Sequence, residues 1–113
     1  MAVVLITGAN RGIGLALVKA YANRRDKVIA TVRASSDRAQ LDAFVATHPK
    51  WVEVLEMDVA DPAEIGRVRR KLEAEPIDVL INNAGISGPD RQSATDMDFE
   101  GLTETFNVNA IAP

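Results

Sequence analysis

The chain of 113 residues contains no cysteine. Disulfide bonds and thiolate metal sites are therefore excluded, and a reducing compartment is allowed. Aromatic residues make up only 4%, so the core must be built mostly from aliphatic side chains. There is a single histidine, His48, and a single tyrosine, Tyr21. No cluster of histidine and carboxylates has the spacing of a metal site, so no metal is expected. Long hydrophobic runs are missing too. The longest early one, residues 2–6, falls far short of the roughly 20 apolar residues that span a bilayer. It lacks the basic leader and small-residue cleavage site of a secretory signal. An excess of positive charge is also absent, since the formal net charge is -3. That argues against a nucleic-acid surface. With 47% hydrophobic and 26% charged residues, the expectation is one globular, cytoplasmic domain with no membrane partner.

What is present is an alternation of short apolar runs and helical periodicity. Residues 2–7, 28–32, 51–58 and 77–82 read as strands, the first a continuous apolar run as in a strand buried on both faces. Between them, Ile13, Leu17, Ala20 and Tyr21 fall on one face of a helix. Leu41, Phe44 and Val45 mark a second helix, ended by His48-Pro49. Asp61-Pro62-Ala63-Glu64 is a helix start, with Asp61 as cap, Pro62 at the first position and Glu64 placed to reach back. Ile65, Val68 and Leu72 give that helix its apolar stripe. A Gly/Ser/Pro/Asp loop follows the fourth strand. The last helix carries Phe99, Leu102 and Phe106 on one face, which Asn109 continues, so Asn109 is expected to point inward. The order βαβαβαβα predicts an α/β fold, a doubly wound parallel sheet of order 3-2-1-4 with helices on both faces. Ligands bind such sheets at the carboxyl ends of the strands, beside the switch point.

"TGANRGIG", residues 7–14, occupies that position. Gly8, Gly12 and Gly14 follow the spacing G-x-x-x-G-x-G between a strand and an amphipathic helix, the context that gives such a motif meaning. A tight turn needs positive φ. Absent side chains let a pyrophosphate approach, and the helix N-terminus offers free N–H groups and partial positive charge. The alternative is a tight strand–helix turn without a ligand. No Gly-Lys-Ser/Thr follows, so the motif is not a P-loop.

Four motifs together resemble the short-chain dehydrogenase/reductase family. They are "TGANRGIG", "DV" (Asp58-Val59), "NNAG" (residues 82–85) and "NVN" (residues 107–109), each at the family's place in the order of elements. Within the family, "TGANRGIGLALVKAYA", "ATVR" and an asparagine followed by Pro113 look most like the C-factor and Sniffer-type carbonyl reductases. The resemblance covers the whole chain and implies a Rossmann-type NAD(P)-binding domain over residues 1–113. It implies cofactor contacts from Gly8, Asn10, Arg11, Gly12, Ile13 and Gly14, and from Arg33, Asp58, Val59, Asn83, Ala84 and Gly85. It also implies a small carbonyl or alcohol substrate and a homo-oligomer for the complete protein. By the same resemblance Asn109 is the catalytic-site asparagine, which positions a proton-relay water. One departure is Ala112, where a glycine commonly stands.

The choice between NAD and NADP should be made at the end of the second strand. A carboxylate there would accept from the ribose 2′-OH and repel a 2′-phosphate. Here Val32 and Arg33 are followed by no acid before Asp37. Arg33 presents a planar fork suited to phosphate, Arg11 approaches from the glycine loop, and Ser35 adds a hydroxyl. NADP(H) is therefore the preferred cofactor, with NAD(H) possible. Arg33 as a plain solvated loop residue remains the alternative. Asp58 is either the acceptor for the adenine amino group or the start of a turn. Asn83, Ala84 and Gly85 are expected to line the crevice beside the nicotinamide-side ribose, and the Asn82-Asn83 pair to steady the sheet as well; a purely structural pair is the alternative.

The catalytic serine and the Tyr-x-x-x-Lys that the resemblance calls for are not found among these residues. Tyr21 is followed four residues on by Arg25, which stays protonated, and it belongs to the first helix's apolar stripe. His48 has no recognisable partners. Residues 67–71, "RVRRK", are a solvated helix face with nearby glutamates. The fourth strand is an edge whose apolar sequence asks for a neighbour. The ending reads as a cut through a helix. The expected function is the N-terminal cofactor-binding part of an NADP(H)-dependent oxidoreductase, inactive alone. A non-catalytic dinucleotide-binding module and a ligand-free remnant are the rivals.

Overall fold

The computed structural model describes residues 1–113. Four parallel strands form one sheet: β1 (Val3–Ile6), β2 (Lys27–Val32), β3 (Val52–Glu56) and β4 (Val79–Ile81), in the order β3-β2-β1-β4. The helices α1 (Gly12–Asn23), α2 (Ala39–Thr47) and α3 (Pro62–Lys71) make the crossovers. Alternate strand residues face opposite sides, so the sheet feeds two cores. Val4, Ile6, Val28, Ala30 and Val32 pack with Leu15, Val18 and Ala22 of α1 and Leu41 of α2. Val3, Leu5, Ile29 and Leu55 pack with Val68 of α3. The expected order 3-2-1-4 and the two helical layers are both present.

The stripe on α1 differs from the expected one. Gly14, Leu15, Val18 and Ala22 are its buried residues, Leu17 and Tyr21 sit at the margin, and Ile13 is 74% exposed. Gly14 decides the rotation. A Cβ there would strike the Gly8 carbonyl and the Asn83 amide, so this glycine must face the loop and turns Ile13 away from the core. On α3, Asp61 caps as expected, its carboxylate accepting from the Ala63 N–H at 2.9 Å. Glu64 does not reach back; its carboxylate lies 3.8 Å from Arg67 on the next turn. His48 ends α2 and stacks on Phe44, with ring centroids 4.1 Å apart.

Beyond β4 the chain forms a hairpin of β5 (Gln92–Ser93) and β6 (Asp96–Met97), then α4 (Phe99–Phe106) and a π-helical turn, Asn107–Ile111. The hairpin and the π turn were not expected. The apolar stripe on α4 was expected to face inward, yet Phe99, Leu102 and Phe106 are all exposed and Val108 is the buried residue. The wider turn, closed by the Ala112 N–H donating to the Asn107 carbonyl at 2.8 Å, breaks the α periodicity. Strand β4 pairs only with β1. It is the edge that was expected, and Leu80 of its apolar sequence is 59% exposed.

Candidate functional site: a crevice at the carboxyl ends of the strands

Each strand ends in a loop that reaches the same crevice, of about 550 Å³. From β1 come Gly8, Asn10, Arg11, Gly12 and Ile13; from β2, Arg33, Ser35, Ser36, Asp37 and Gln40. The β3 end supplies Asp58 and Val59, and the β4 end supplies Asn83, Ala84, Gly85 and Ile86, with Val108 behind them. Every cofactor-binding residue expected from sequence lines this space except Gly14, which is buried under the loop.

The loop after β1 is held from below. Thr7 is 3% exposed, and its Oγ1 accepts from the backbone N–H groups of Asn83 and Ala84, each at 3.0 Å. The Asn83 carboxamide donates to the Gly8 carbonyl at 3.0 Å. Asn83 therefore steadies the glycine loop with its side chain while its residue lines the crevice. Gly8 has φ +62°, and a Cβ on it would lie 2.8 Å from Ala84 Cα. Gly12 has φ +57°, and a Cβ on it would meet nothing within 4 Å. The first glycine thus serves close packing of backbone on backbone, and the second leaves open space above the start of α1.

That helix start has no side-chain cap. Its first-turn N–H groups, which lack intrahelical acceptors, are available to an anion, and the helix dipole favours negative charge there. Arg11 and Arg33 flank the crevice, and neither belongs to any of the protein's ion pairs. Asp37, the nearest acid to the end of β2, is turned to α2, its Oδ1 accepting from the Ala39 N–H at 3.1 Å. Asp58 starts a turn, with Oδ1 accepting from Ala60 N–H at 2.9 Å, and lines the crevice as well. The site therefore pairs open glycine backbone with two unpaired guanidinium groups, a donor set that fits a phosphorylated dinucleotide.

Asn109 sits apart from the crevice lining. Its Oδ1 accepts from the Ile86 N–H at 2.8 Å and its Nδ2 donates to the Ile86 carbonyl at 2.7 Å. The residue is exposed rather than pointing into a core. No group of His, Cys, Asp and Glu could hold a metal ion, and no helix is long and apolar enough to cross a membrane.

The sequence profile of the family described as short chain dehydrogenase matches residues 2–113. The chain belongs to the short-chain dehydrogenase family. It is 38% identical over 87 residues to the 3-oxoacyl-[acyl-carrier-protein] reductase FabG of Escherichia coli K12, an alignment covering 75% of this chain and 34% of that one. It is 34% identical to the galactitol 2-dehydrogenase of Agrobacterium fabrum, covering 98% of this chain and 42% of that one. The solved structure of a carbonyl reductase from Pseudomonas aeruginosa PAO1 in complex with NADP superposes with a TM-score of 0.92 at 36% identity, covering 100% of this chain and 51% of that one. The chain thus spans about half or less of the length of these short-chain dehydrogenase relatives.

Proposed function

We propose that residues 1–113 are the cofactor-binding half of an NADP(H)-dependent short-chain oxidoreductase that reduces a carbonyl or oxidises an alcohol. The observation that carries this reading is the crevice itself. Four strand ends bring the glycine loop, Asp58 and residues 83–85 together, with Arg11 and Arg33 unpaired at its rim. In this reading the free N–H groups at the start of α1 bind the pyrophosphate, and Gly12 lets it approach. Arg11 and Arg33 hold the 2′-phosphate, and Asp58 accepts from the adenine amino group with Val59 beside it. Ile13, Ala84 and Gly85 lie toward the nicotinamide end. When bound, the nicotinamide supplies or accepts a hydride. The solved carbonyl reductase of similar fold holds NADP, which supports the same choice here.

The only tyrosine, Tyr21, lies on α1 and is followed by Arg25 rather than a lysine. The proton-transfer residues of the reaction therefore belong, in this proposal, to the half of the relatives that these residues do not span. Asn109 is proposed as the one member of the catalytic set present. Its carboxamide holds Ile86, and through Ile86 it shapes the wall of the crevice. The cleft of about 1000 Å³ beside the open edge of β4, lined by Leu5, Ile65, Leu72 and Leu80, is the proposed seat of that other half. The complete oxidoreductase is proposed to work as a cytoplasmic homo-oligomer.

Titration of the chain with NADPH and NADH, read by nucleotide fluorescence, tests the cofactor reading. NADPH is expected to bind more tightly, and Arg33→Ala to weaken it about tenfold, since charge-assisted hydrogen bonds are the strong ones. A folded chain that binds neither nucleotide sinks the reading. Binding without any turnover, even in the complete protein, favours a non-catalytic dinucleotide module instead.

A further inference from the structure

Two loops frame the rim of the crevice, and one side-chain hydrogen bond joins them. The Asn10 carboxamide donates through Nδ2 to the Asp37 backbone carbonyl at 3.0 Å, across 27 positions of sequence. Asn10 immediately precedes Arg11. Asp37 directly follows the turn of residues 33–36, which the Ser36 N–H closes by donating to the Arg33 carbonyl at 3.0 Å. The bond therefore fixes the loop that carries one unpaired guanidinium against the loop that carries the other. It also fixes the backbone of Asp37, whose carboxylate is turned toward the Ala39 N–H at 3.1 Å. Asp37 is the only acid on the rim near the end of β2.

We infer that Asn10 is a positioning residue for dinucleotide selectivity, which rests on the reading above that the crevice takes NADP(H). Its amide latches the segment of residues 33–37 to the glycine loop. The latch sets the spacing of Arg11 and Arg33 for a doubly charged phosphate and keeps the Asp37 carboxylate away from it. With the latch open, the turn is held only at its two ends, by β2 before it and by α2 after it, where Leu41 is buried and Arg38 lies 3.9 Å from Glu56. Arg33 then moves freely, as an unrestrained long side chain on an unrestrained loop loses more entropy on binding. Asp37 swings toward the same space and repels the phosphate. Neither change touches the parts that NADPH and NADH share.

The test is a set of titrations with NADPH and NADH on the wild-type chain, Asn10→Ala, Arg33→Ala and the double variant. Asn10→Ala is expected to weaken NADPH about three- to tenfold, the range of one net hydrogen bond. NADH affinity is expected to change by less than about twofold. The double variant is expected to bind NADPH more weakly than Arg33→Ala alone, but by a smaller factor than Asn10→Ala causes in the wild-type chain, because the part that acts through Arg33 is already lost. Asp37→Ala keeps the backbone acceptor and is expected to leave NADPH binding as tight or tighter. Equal losses for both nucleotides from Asn10→Ala would show a direct contact to their common part and overturn the inference. So would full additivity in the double variant, or no change at all. If the wild-type chain binds NADH as tightly as NADPH, the selectivity reading beneath falls with it; a wild-type preference that Asn10→Ala leaves intact removes the latch alone.

Discussion

The carboxamide of Asn109 and the peptide group of Ile86 bond to each other twice, Ile86 N–H to Oδ1 at 2.8 Å and Nδ2 to the Ile86 carbonyl at 2.7 Å. This pair ties the π turn after α4 to the segment that leaves β4. It also crowds Gly85, where a Cβ would lie 3.2 Å from Asn109 Oδ1.

Replacing Asn109 should therefore loosen the crevice wall. Asn109→Ala removes both bonds at an exposed site, and the expected loss is about 1–2 kcal/mol of local stability. Asn109→Asp keeps an acceptor for the Ile86 N–H but sets a carboxylate oxygen against the Ile86 carbonyl, so it is expected to cost at least as much. Hydrogen exchange at the Ile86 amide reads the change directly. Unaltered protection in Asn109→Ala would show that the pair holds nothing in place.

The two positive-φ glycines of the loop should respond differently to the same substitution. Gly8→Ala adds the left-handed penalty, about 1–2 kcal/mol, to a collision with Ala84 Cα at 2.8 Å. It is expected to destabilise the fold by more than about 3 kcal/mol. Gly12→Ala meets no atom within 4 Å, so only the backbone penalty of about 1–2 kcal/mol applies. Its methyl group nonetheless occupies the space above α1. Gly12→Ala is expected to fold and to lose dinucleotide affinity by a larger factor than its stability loss implies. Urea melts and nucleotide titration on the two variants check this, and equal stability losses would contradict it.

The fold was legible where one residue type admits one reading. Gly8, Gly12 and Gly14 after an apolar run placed the strand–loop–helix, and the alternation of elements gave the order 3-2-1-4. The rotation of α1 was not legible. Apolar residues run round the whole helix, so Ile13-Leu17-Ala20-Tyr21 and Leu15-Val18-Ala22 are equally good stripes on paper. Contact between Gly14 and the Gly8 carbonyl chose between them. In α4 the stripe was real, but the periodicity could say only that Phe99, Leu102 and Phe106 share a face, not that a partner covers it. The π turn shifts one hydrogen bond from four residues to five, a change without a side-chain signature. At the crevice, the motifs located the lining residues. The latch between Asn10 and Asp37 was hidden because its acceptor is a backbone carbonyl, which any residue supplies.

Lys27 gives the protein one alkaline titration. Its Nζ lies 2.8 Å from Glu75 Oε1, and that hydrogen bond first, with the attraction of Glu75 and Glu53, raises its pKa above the ordinary 10.5 against a smaller opposing effect of burial. A raised folded-state value means that the contribution is fully present below the unfolded value. It is lost as pH rises through the folded one, above 10.5. The stability difference between wild type and Lys27→Met is expected to be flat from about pH 7 to 9.5 and to fade as pH rises through the raised folded-state value. Both partners are about a third exposed, so the difference is small and falls with salt. Denaturant melts across that range measure it, and a difference that persists unchanged past the transition would assign the effect to packing of the lysine stem.

The open edge of β4 should govern how residues 1–113 behave alone. Val79–Ile81 pairs with β1 on one side only. Leu80 is 59% exposed and stands at the mouth of an apolar cleft with Ile65 and Leu72. Unpaired N–H and C=O groups beside exposed apolar side chains form a template for a further strand. The chain by itself is therefore expected to self-associate as its concentration rises. Leu80→Lys puts a charge at the edge without disturbing either buried core, since Leu80 belongs to neither. It is expected to shift the population toward monomer while leaving the urea midpoint of the monomer nearly unchanged. Sedimentation over a concentration series separates the outcomes. A wild-type chain that stays monodisperse and unfolds cooperatively at high concentration would show that the edge is protected by other means. A Leu80→Lys chain that associates as strongly as wild type would move the contact to the exposed Phe99, Leu102 and Phe106 face of α4.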